Sequence, residues 1–328
     1  MAEDKKMLEM PYQDLSARIH EHSFQKHQVI KAQMELTYRC NLHCRHCYTD
    51  PYNAPQHFPK EMTSGEIRRI FDEMADYGIL WLNLTGGEIF MRHDFFELYE
   101  YAWTKGFILT LFTNGTVFNH KMMERLKERP PFYLDISVHS LDEEAFDWFT
   151  KEKGSFQRLI KGIELLKASG LPFRLKTKAM NWNKQEMQNL RKFYESLGLA
   201  FTFTTSLSPR LDGDLTSLEH RLSLQDMGQI ETQEKIWLDD EASCIENREF
   251  IAKEVPDSLY RCSCATNAIH VSAWGELGTC CFEYEARASL RDHSLPEAIE
   301  KVFQRVRELK YQGHSPCRSC QIHTYCDK

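Results

Sequence analysis

The sequence predicts an α/β chain: a partial (β/α)6 TIM-like barrel, followed by a small Cys-rich C-terminal domain containing a β-hairpin. Three observations predict it. From Val29 to Thr205 short β-type runs alternate with helical patterns, the mark of repeated βα units on a parallel sheet. Gly106, Gly170 and Gly198 stop three of those helical patterns. The 11 cysteines are unevenly spread: Cys40, Cys44 and Cys47 form one cluster, and the rest lie at or beyond Cys244.

Residues 1–27 are polar and His-rich and read as an appendage, with an amphipathic pattern at Tyr12, Leu15 and Ile19 that makes a short helix after Pro11. Residues 28–240 hold the barrel and a following helix. Six strands are expected, at Val29–Thr37, Ile79–Thr85, Phe107–Thr113, Phe132–Ser137, Phe173–Met180 and Ala200–Ser206. Helical patterns lie between them at Ser64–Tyr77, Asp94–Lys105, Asn119–Lys127, Ser155–Ser169 and Lys184–Leu197, the first opened by the cap signal Thr63 with Glu66. A further helix is expected near Leu224–Leu238. In residues 241–328 a hairpin is expected from His270–Trp274 and Thr279–Tyr284 around Gly275, then a helix at Leu295–Tyr311. In an open or closed barrel the chemistry sits at the C-terminal ends of the strands.

Composition removes several classes of function. With 41 Lys plus Arg against 48 Asp plus Glu, the net charge is −7, which lacks the basic excess that neutralises a phosphate backbone, so nucleic acid is not the expected partner. No apolar run approaches the roughly 20 residues of a membrane span. The opening Met1-Ala2-Glu3-Asp4-Lys5-Lys6 is no secretory signal, which leaves a cytoplasmic location as the expectation. In a reducing compartment an odd number of cysteines argues for metal ligation over a disulfide framework.

Cys40, Cys44 and Cys47 begin just after the first strand, on the loop at its C-terminal end. Three thiolates there leave one coordination position open. A zinc shell completed by His43 or His46 satisfies the spacing, and so does an iron–sulfur cluster. The second strand ends in Thr85-Gly86-Gly87-Glu88, where two glycines let the backbone approach a ligand and Glu88 offers an acceptor to an ammonium group. The third ends in Thr113-Asn114-Gly115, and the fourth runs from Asp135 through Ser137 and His139 to Asp142. Lys176, Thr177 and Lys178 alternate along the fifth, and Arg210 and Asp212 follow the sixth.

The Cys-x3-Cys-x2-Cys spacing, joined to these strand ends in this order, resembles the radical S-adenosylmethionine (radical SAM) enzymes over residues 29–328. The resemblance implies that Cys40, Cys44 and Cys47 hold three irons of a [4Fe–4S] cluster, whose fourth iron chelates S-adenosylmethionine. Reductive cleavage of that cofactor then yields a 5′-deoxyadenosyl radical that abstracts hydrogen from substrate. It also implies SAM contacts from His46, Gly86, Gly87, Glu88, Thr113, Asn114 and Ser137, with Lys176 and Arg210 as further candidates. His46 stands where relatives carry an aromatic residue, and His139 where an acidic one is frequent.

The tail resembles most of a SPASM motif, or the shorter Twitch extension, in Cys264, Gly275, Cys280, Cys317, Cys320 and Cys326. One or two auxiliary [4Fe–4S] clusters are implied, with Cys262 and Cys281 as added ligands and Cys244 as a further one; a zinc knuckle from Cys317, Cys320, His323 and Cys326 is the alternative. Glu283, Tyr284 and Glu285 are candidate bases. Family members of this layout modify ribosomally made precursor peptides by crosslinking, epimerisation, decarboxylation or backbone excision. The expected partners are therefore a precursor peptide, a separate leader-peptide-binding protein, and a reductant such as ferredoxin or flavodoxin. The second reading keeps the mechanism and acts on a small molecule such as a tetrapyrrole side chain. A third, of another class, is an iron–sulfur electron carrier or zinc-binding interaction module.

Overall fold

The computed structural model describes residues 10–234 and 265–310. Its strands are β1 (Lys31–Thr37), β2 (Trp81–Gly86), β3 (Ile108–Thr113), β4 (Tyr133–Ser137), β5 (Phe173–Lys178), β6 (Phe203–Thr204), β7 (Ala268–Val271), β8 (Glu276–Gly278) and β9 (Ala288–Ser289). The helices are α1 (Tyr12–Gln25), α2 (Ser64–Tyr77), α3 (Phe95–Thr104), α4 (His120–Glu128), α5 (Glu143–Thr150), α6 (Ser155–Ser169), α7 (Met187–Ser196), α8 (Leu224–Glu234) and α9 (Leu295–Glu308).

The strands form one sheet in the order β6-β5-β4-β3-β2-β1-β7-β8-β9. All neighbours from β6 to β7 are parallel, so the hairpin continues the barrel sheet: β7 lies beside β1, with Lys31 opposite Ala268 and Gln33 opposite His270. The second hairpin strand lies earlier than its sequence pattern suggests. The turn closes at Ser272–Gly275, where Gly275 N donates to Ser272 O at 2.9 Å, and β9 takes up the outer edge of β8 at Glu276 and Leu277. Thr279, Cys280 and Cys281 are thereby left beyond the strand. β6 is likewise shorter than expected, a two-residue edge strand paired only with β5.

Alternation on the strands sorts the side chains. Ala32, Met34, Leu36, Leu82, Leu84, Leu109, Leu111, Leu134, Ile136 and Leu175 join the helices in one core with Phe71, Leu98, Tyr99, Leu126, Ile163 and Leu190. The other face, lining the barrel lumen, is polar along β1, β4 and β5. Helix starts follow the sequence signals: Thr63 and Ser294 form capping boxes with Glu66 and Glu297, and Asp142 caps α5 through Ala145 N at 2.7 Å. The described part of the N-terminal appendage, residues 10–27, is docked rather than loose. Tyr12 stacks against Phe132 at 4.8 Å and accepts a 2.8 Å bond from Trp81 Nε1, and the His20 ring lies 4.5 Å from Trp81. α1 thus packs against the first residue of β2 and the residue just before β4. Among the described residues no helix is long and apolar enough to cross a membrane.

Candidate active site

Cys40, Cys44, Cys47, Gly86, Gly87, Glu88, Thr113 and Asn114 lie together at the mouth, where the strands end. The cysteine loop leaves β1 at Tyr38 and is fixed from several sides. His43 N and Arg45 N donate to Thr150 O and Phe149 O at 3.0 Å, which ties the loop to the end of α5. Asn53 accepts from Cys40 N at 3.0 Å and donates back to Cys40 O at 3.1 Å. Gly87 N and Glu88 N donate to Thr37 O and Arg39 O, both at 2.8 Å. A Cβ on Gly86, whose φ is +139°, would lie 2.2 Å from Thr37 O, and one on Gly87 would lie 2.4 Å from Arg39 O. The two glycines therefore admit the backbone of the cysteine loop itself.

All three cysteines are half-buried, with their thiols turned inward. Burial pushes each thiol pKa up, and Cys47 and Cys40 push that of Cys44 further. Holding them as thiolates requires compensating positive charge, which is what iron supplies. Leu42 N reaches Cys40 Sγ at 3.4 Å, and Thr49 Oγ1 lies 3.3 Å from Cys47 Sγ. Neither histidine completes a zinc shell: His43 Nδ1 is 2.8 Å from Asp50 Oδ1, and His46 packs on Phe149 at 4.9 Å and His139 at 5.0 Å. Among the described residues no three His, Cys, Asp or Glu side chains are gathered as a single ion requires. A cluster that gives each thiolate its own iron needs no such convergence.

Glu88 is fully buried. Its carboxylate accepts from Thr113 Oγ1 at 2.8 Å, Asn114 N at 2.7 Å and Phe90 N at 3.2 Å. Burial nonetheless lifts its pKa to about 7. Asn114 Nδ2 donates to Asn41 at 2.9 Å and points at Cys40 Sγ from 3.8 Å, so the ends of β2 and β3 and the cysteine loop are one hydrogen-bonded unit. His46 and His139 are held neutral by burial, His139 at about 3, with the Lys178 ammonium adding to the effect on both. His46 Nδ1 is buried without a hydrogen-bond partner. Ser137 is half-buried at the end of β4. Arg210 is committed to the loop: it donates to Asp50 at 3.1 Å and Arg45 O at 3.3 Å. Thr177 faces outward, bonded to Val138 O and the Tyr194 hydroxyl. Asp212 holds a turn through Asp214 N, and Glu283 holds another through Glu285 N and Ala286 N.

Lumen residues that carry no motif complete the site. Glu35, fully buried on β1, accepts from Tyr48 OH at 2.8 Å and Tyr38 OH at 2.9 Å and lies 3.5 Å from His270 Nε2 on β7. Burial pushes Glu35 up, but His270 and the two hydroxyls outweigh it and hold its pKa below the ordinary value. Tyr48 directly follows Cys47, so this network fastens the cysteine loop to β7. On the opposite wall Asp135 of β4 takes a two-pronged bond from Arg174, at 2.7 and 2.9 Å, and an ion pair with Lys176 at 2.5 Å. Lys176 is therefore placed inside the lumen. A polar or charged residue at every second strand position, as in Lys31, Gln33 and Glu35 or Arg174, Lys176 and Lys178, was the available sign.

Cys280 and Cys281 border a cavity of about 240 Å³ whose other walls include Lys31, Gln33, Asn83, His270 and Thr279. The remaining expected ligands, Cys244, Cys262, Cys264, Cys317, Cys320 and Cys326, lie outside the described residues.

A partial barrel with cysteines on the loop after its first strand defines a class of radical enzymes, and comparison with known proteins agrees. Residues 34–197 match the Radical SAM superfamily, to which the chain belongs. That family uses a [4Fe–4S] cluster and S-adenosylmethionine, and this chain is an enzyme of the same kind. It is 27% identical to the AdoMet-dependent heme synthase of Methanosarcina barkeri over 89% of this chain and 88% of that protein. It is 31% identical to the antilisterial bacteriocin subtilosin biosynthesis protein AlbA of Bacillus subtilis over 53% of this chain and 39% of that one. In fold it is similar to Streptococcus suis SuiB bound to precursor peptide SuiA, with a TM-score of 0.69, 17% identity, and coverage of 100% of this chain and 78% of SuiB.

Proposed function

We propose that this enzyme abstracts hydrogen from a residue of a ribosomally made precursor peptide, from a site above the barrel lumen. Cys40, Cys44 and Cys47 would hold the cluster, and the surrounding residues that fix their loop are the observation that carries the reading. When bound, cluster and S-adenosylmethionine supply the 5′-deoxyadenosyl radical. The chain's own work is positional. Gly86 and Gly87 seat the end of β2 on the cysteine loop; Glu88, Thr113 and Asn114 lock the strand ends beneath it; His46 offers a neutral ring and one unpaired nitrogen beside the third thiol. Ser137 completes the proposed cofactor-facing set, whereas Arg210 braces the cysteine loop through Asp50 and Arg45 O, and Lys176 stands on the lumen wall beside Asp135. AlbA, to which about half of this chain is similar, is a bacteriocin biosynthesis protein, and this supports the peptide reading.

Residues 241–328 are proposed to hold one or two auxiliary clusters, with Cys280 and Cys281 at the lumen wall. A separate leader-binding protein, a ferredoxin or flavodoxin reductant and a cytoplasmic location are proposed with it. A second reading, hydrogen abstraction from a tetrapyrrole side chain, is favoured by the near full-length match to the archaeal heme synthase. Anaerobic reconstitution with dithionite and S-adenosylmethionine should yield 5′-deoxyadenosine, and the triple variant Cys40→Ala, Cys44→Ala, Cys47→Ala should yield none. An unchanged yield in that variant would sink the assignment. Mass change on a peptide encoded beside the gene, or on a porphyrin carboxylate, then separates the two substrates.

A further inference from the structure

We propose that the β3–β5 wall of the lumen is a carboxylate-recognition surface, and that the substrate enters with at least one carboxylate directed onto Arg174, Lys176 and Lys178. The inference rests on the radical SAM reading above and names the chemistry of the group that the site takes in.

The three cations occupy alternate positions of β5 and face the lumen, so they are about 7 Å apart along the wall. The described partners leave a surplus of positive charge. Asp135 is the carboxylate that Arg174 and Lys176 share, and its side chain is 1% exposed while theirs are each 44% exposed. Arg174 spends Nε and Nη2 on Asp135, leaving further N–H donors toward the lumen. Among the described residues Lys178 Nζ donates to a backbone carbonyl, Ser206 O, at 3.0 Å, and the Cys47 and Cys281 thiols lie near it. Aromatic rings support the charged heads: Tyr133 lies 4.3 Å from the Arg174 guanidinium and Phe112 lies 4.3 Å from the Lys176 ammonium.

Across the lumen, Lys31 adds another cation, and Glu35 is already enclosed by Tyr38, Tyr48 and His270. Among the described residues, Arg174, Lys176, Lys178 and Lys31 stand on the lumen face against the carboxylates of Asp135 and Glu35, inside a chain whose net charge is −7. An acidic protein that concentrates cations on one wall draws anions there. The planar, forked donor of Arg174 suits a carboxylate. A carboxylate can come from a tetrapyrrole propionate or from an acidic residue of a peptide, and both satisfy the same wall.

The test is binding to the reconstituted full chain. The probes are coproporphyrin III and its tetramethyl ester, and a labelled Glu-rich peptide and its Gln counterpart. The expected result is that one acid probe binds and its neutral counterpart does not. Arg174→Gln, Lys176→Gln and Lys178→Gln should each weaken the acid probe by about tenfold, the loss of one charge-assisted hydrogen bond. Arg174→Lys should recover part of that loss. Asp135→Asn, which removes the shared counter-charge, should tighten the acid probe, an outcome that a merely structural role for this cluster does not produce. Whichever acid probe binds identifies the source of the carboxylate. Equal binding of acid and neutral probes, binding of neither acid, or wild-type affinity in all three Gln variants overturns the inference. Formation of 5′-deoxyadenosine by the wild type without any substrate is scored separately: its absence defeats the enzymatic reading, whereas its presence beside failed acid binding defeats only the lumen assignment.

Discussion

Glu35 on β1 and Asp135 on β4 are both buried carboxylates on the lumen face, and their surroundings differ in kind. Glu35 is enclosed by two tyrosine hydroxyls and one imidazole, all drawn from the cysteine loop and β7. Asp135 is shared by two cations that remain nearly half exposed. The first arrangement is closed: each partner is a structural element that must stay where it is. The second is open, with donors left over and solvent beside them. One wall thus holds the catalytic loop in place while the other is arranged to receive something. The largest expected consequence follows from the closed wall. Glu35→Ala strands two buried hydroxyls and His270, and should cost about 3–5 kcal/mol of stability. Urea unfolding of the apo protein measures it; a loss below about 1 kcal/mol would show that the network is not closed.

Glu88 provides the next effect, because it resembles Glu35 in burial but, among the described residues, has no cation or imidazole facing it. Its donors are a hydroxyl and backbone N–H groups, and burial wins, lifting the pKa to about 7 from an ordinary 4.5. A carboxyl raised in the folded state contributes stability that is complete below the unfolded pKa and is lost as pH rises through about 7. The shift corresponds to about 3 kcal/mol. Wild-type apo protein should therefore lose more stability between pH 5 and pH 8 than Glu88→Gln does. Comparing urea midpoints of the two proteins at both pH values isolates this residue from the buried histidines, which titrate in both. Parallel pH profiles would place the Glu88 carboxyl in contact with water or with a cation.

These contrasts also mark how far the sequence reaches. Strands β1 to β5 and most helices lie within a few residues of their patterns, because alternation and caps are local properties: Thr63 with Glu66 starts α2 at Ser64, and Gly170 follows α6. The cysteines and the Gly86-Gly87-Glu88 turn were legible as motifs. Their physical roles were not, since only the fold shows that the glycines admit the Thr37 and Arg39 carbonyls and that Thr113 is spent on Glu88. β8 was displaced because its register is set by pairing with β7 and β9, which no local pattern encodes. Glu35, His270 and Tyr48 are 13 to 235 residues apart, and Tyr48 lies in a loop without periodicity. Asp135 and Arg174 meet through strand register, Asp135 standing opposite Arg174 across β4 and β5. Their polar alternation was visible, but which face it lined depended on where the helices pack.

The smallest expected effect is the most direct test of the difference between the walls. Asp135→Asn removes a carboxylate that is as buried as Glu35, yet both of its cationic partners reach solvent. No charge is stranded in the interior, and water can take over the donors of Arg174 and Lys176. The two cations do repel each other once Asp135 is neutral, but they keep their aromatic supports, Tyr133 and Phe112. The expected cost is about 1 kcal/mol, several-fold below that of Glu35→Ala, even though one more formal ion pair is lost. Raising the salt concentration should shrink this cost, because screening reaches a half-exposed cluster, and should leave the cost of Glu35→Ala unchanged. Equal costs for the two variants at both salt concentrations would mean that the Asp135 cluster is a structural clamp like the Glu35 network, with no cationic surface held in reserve for a substrate.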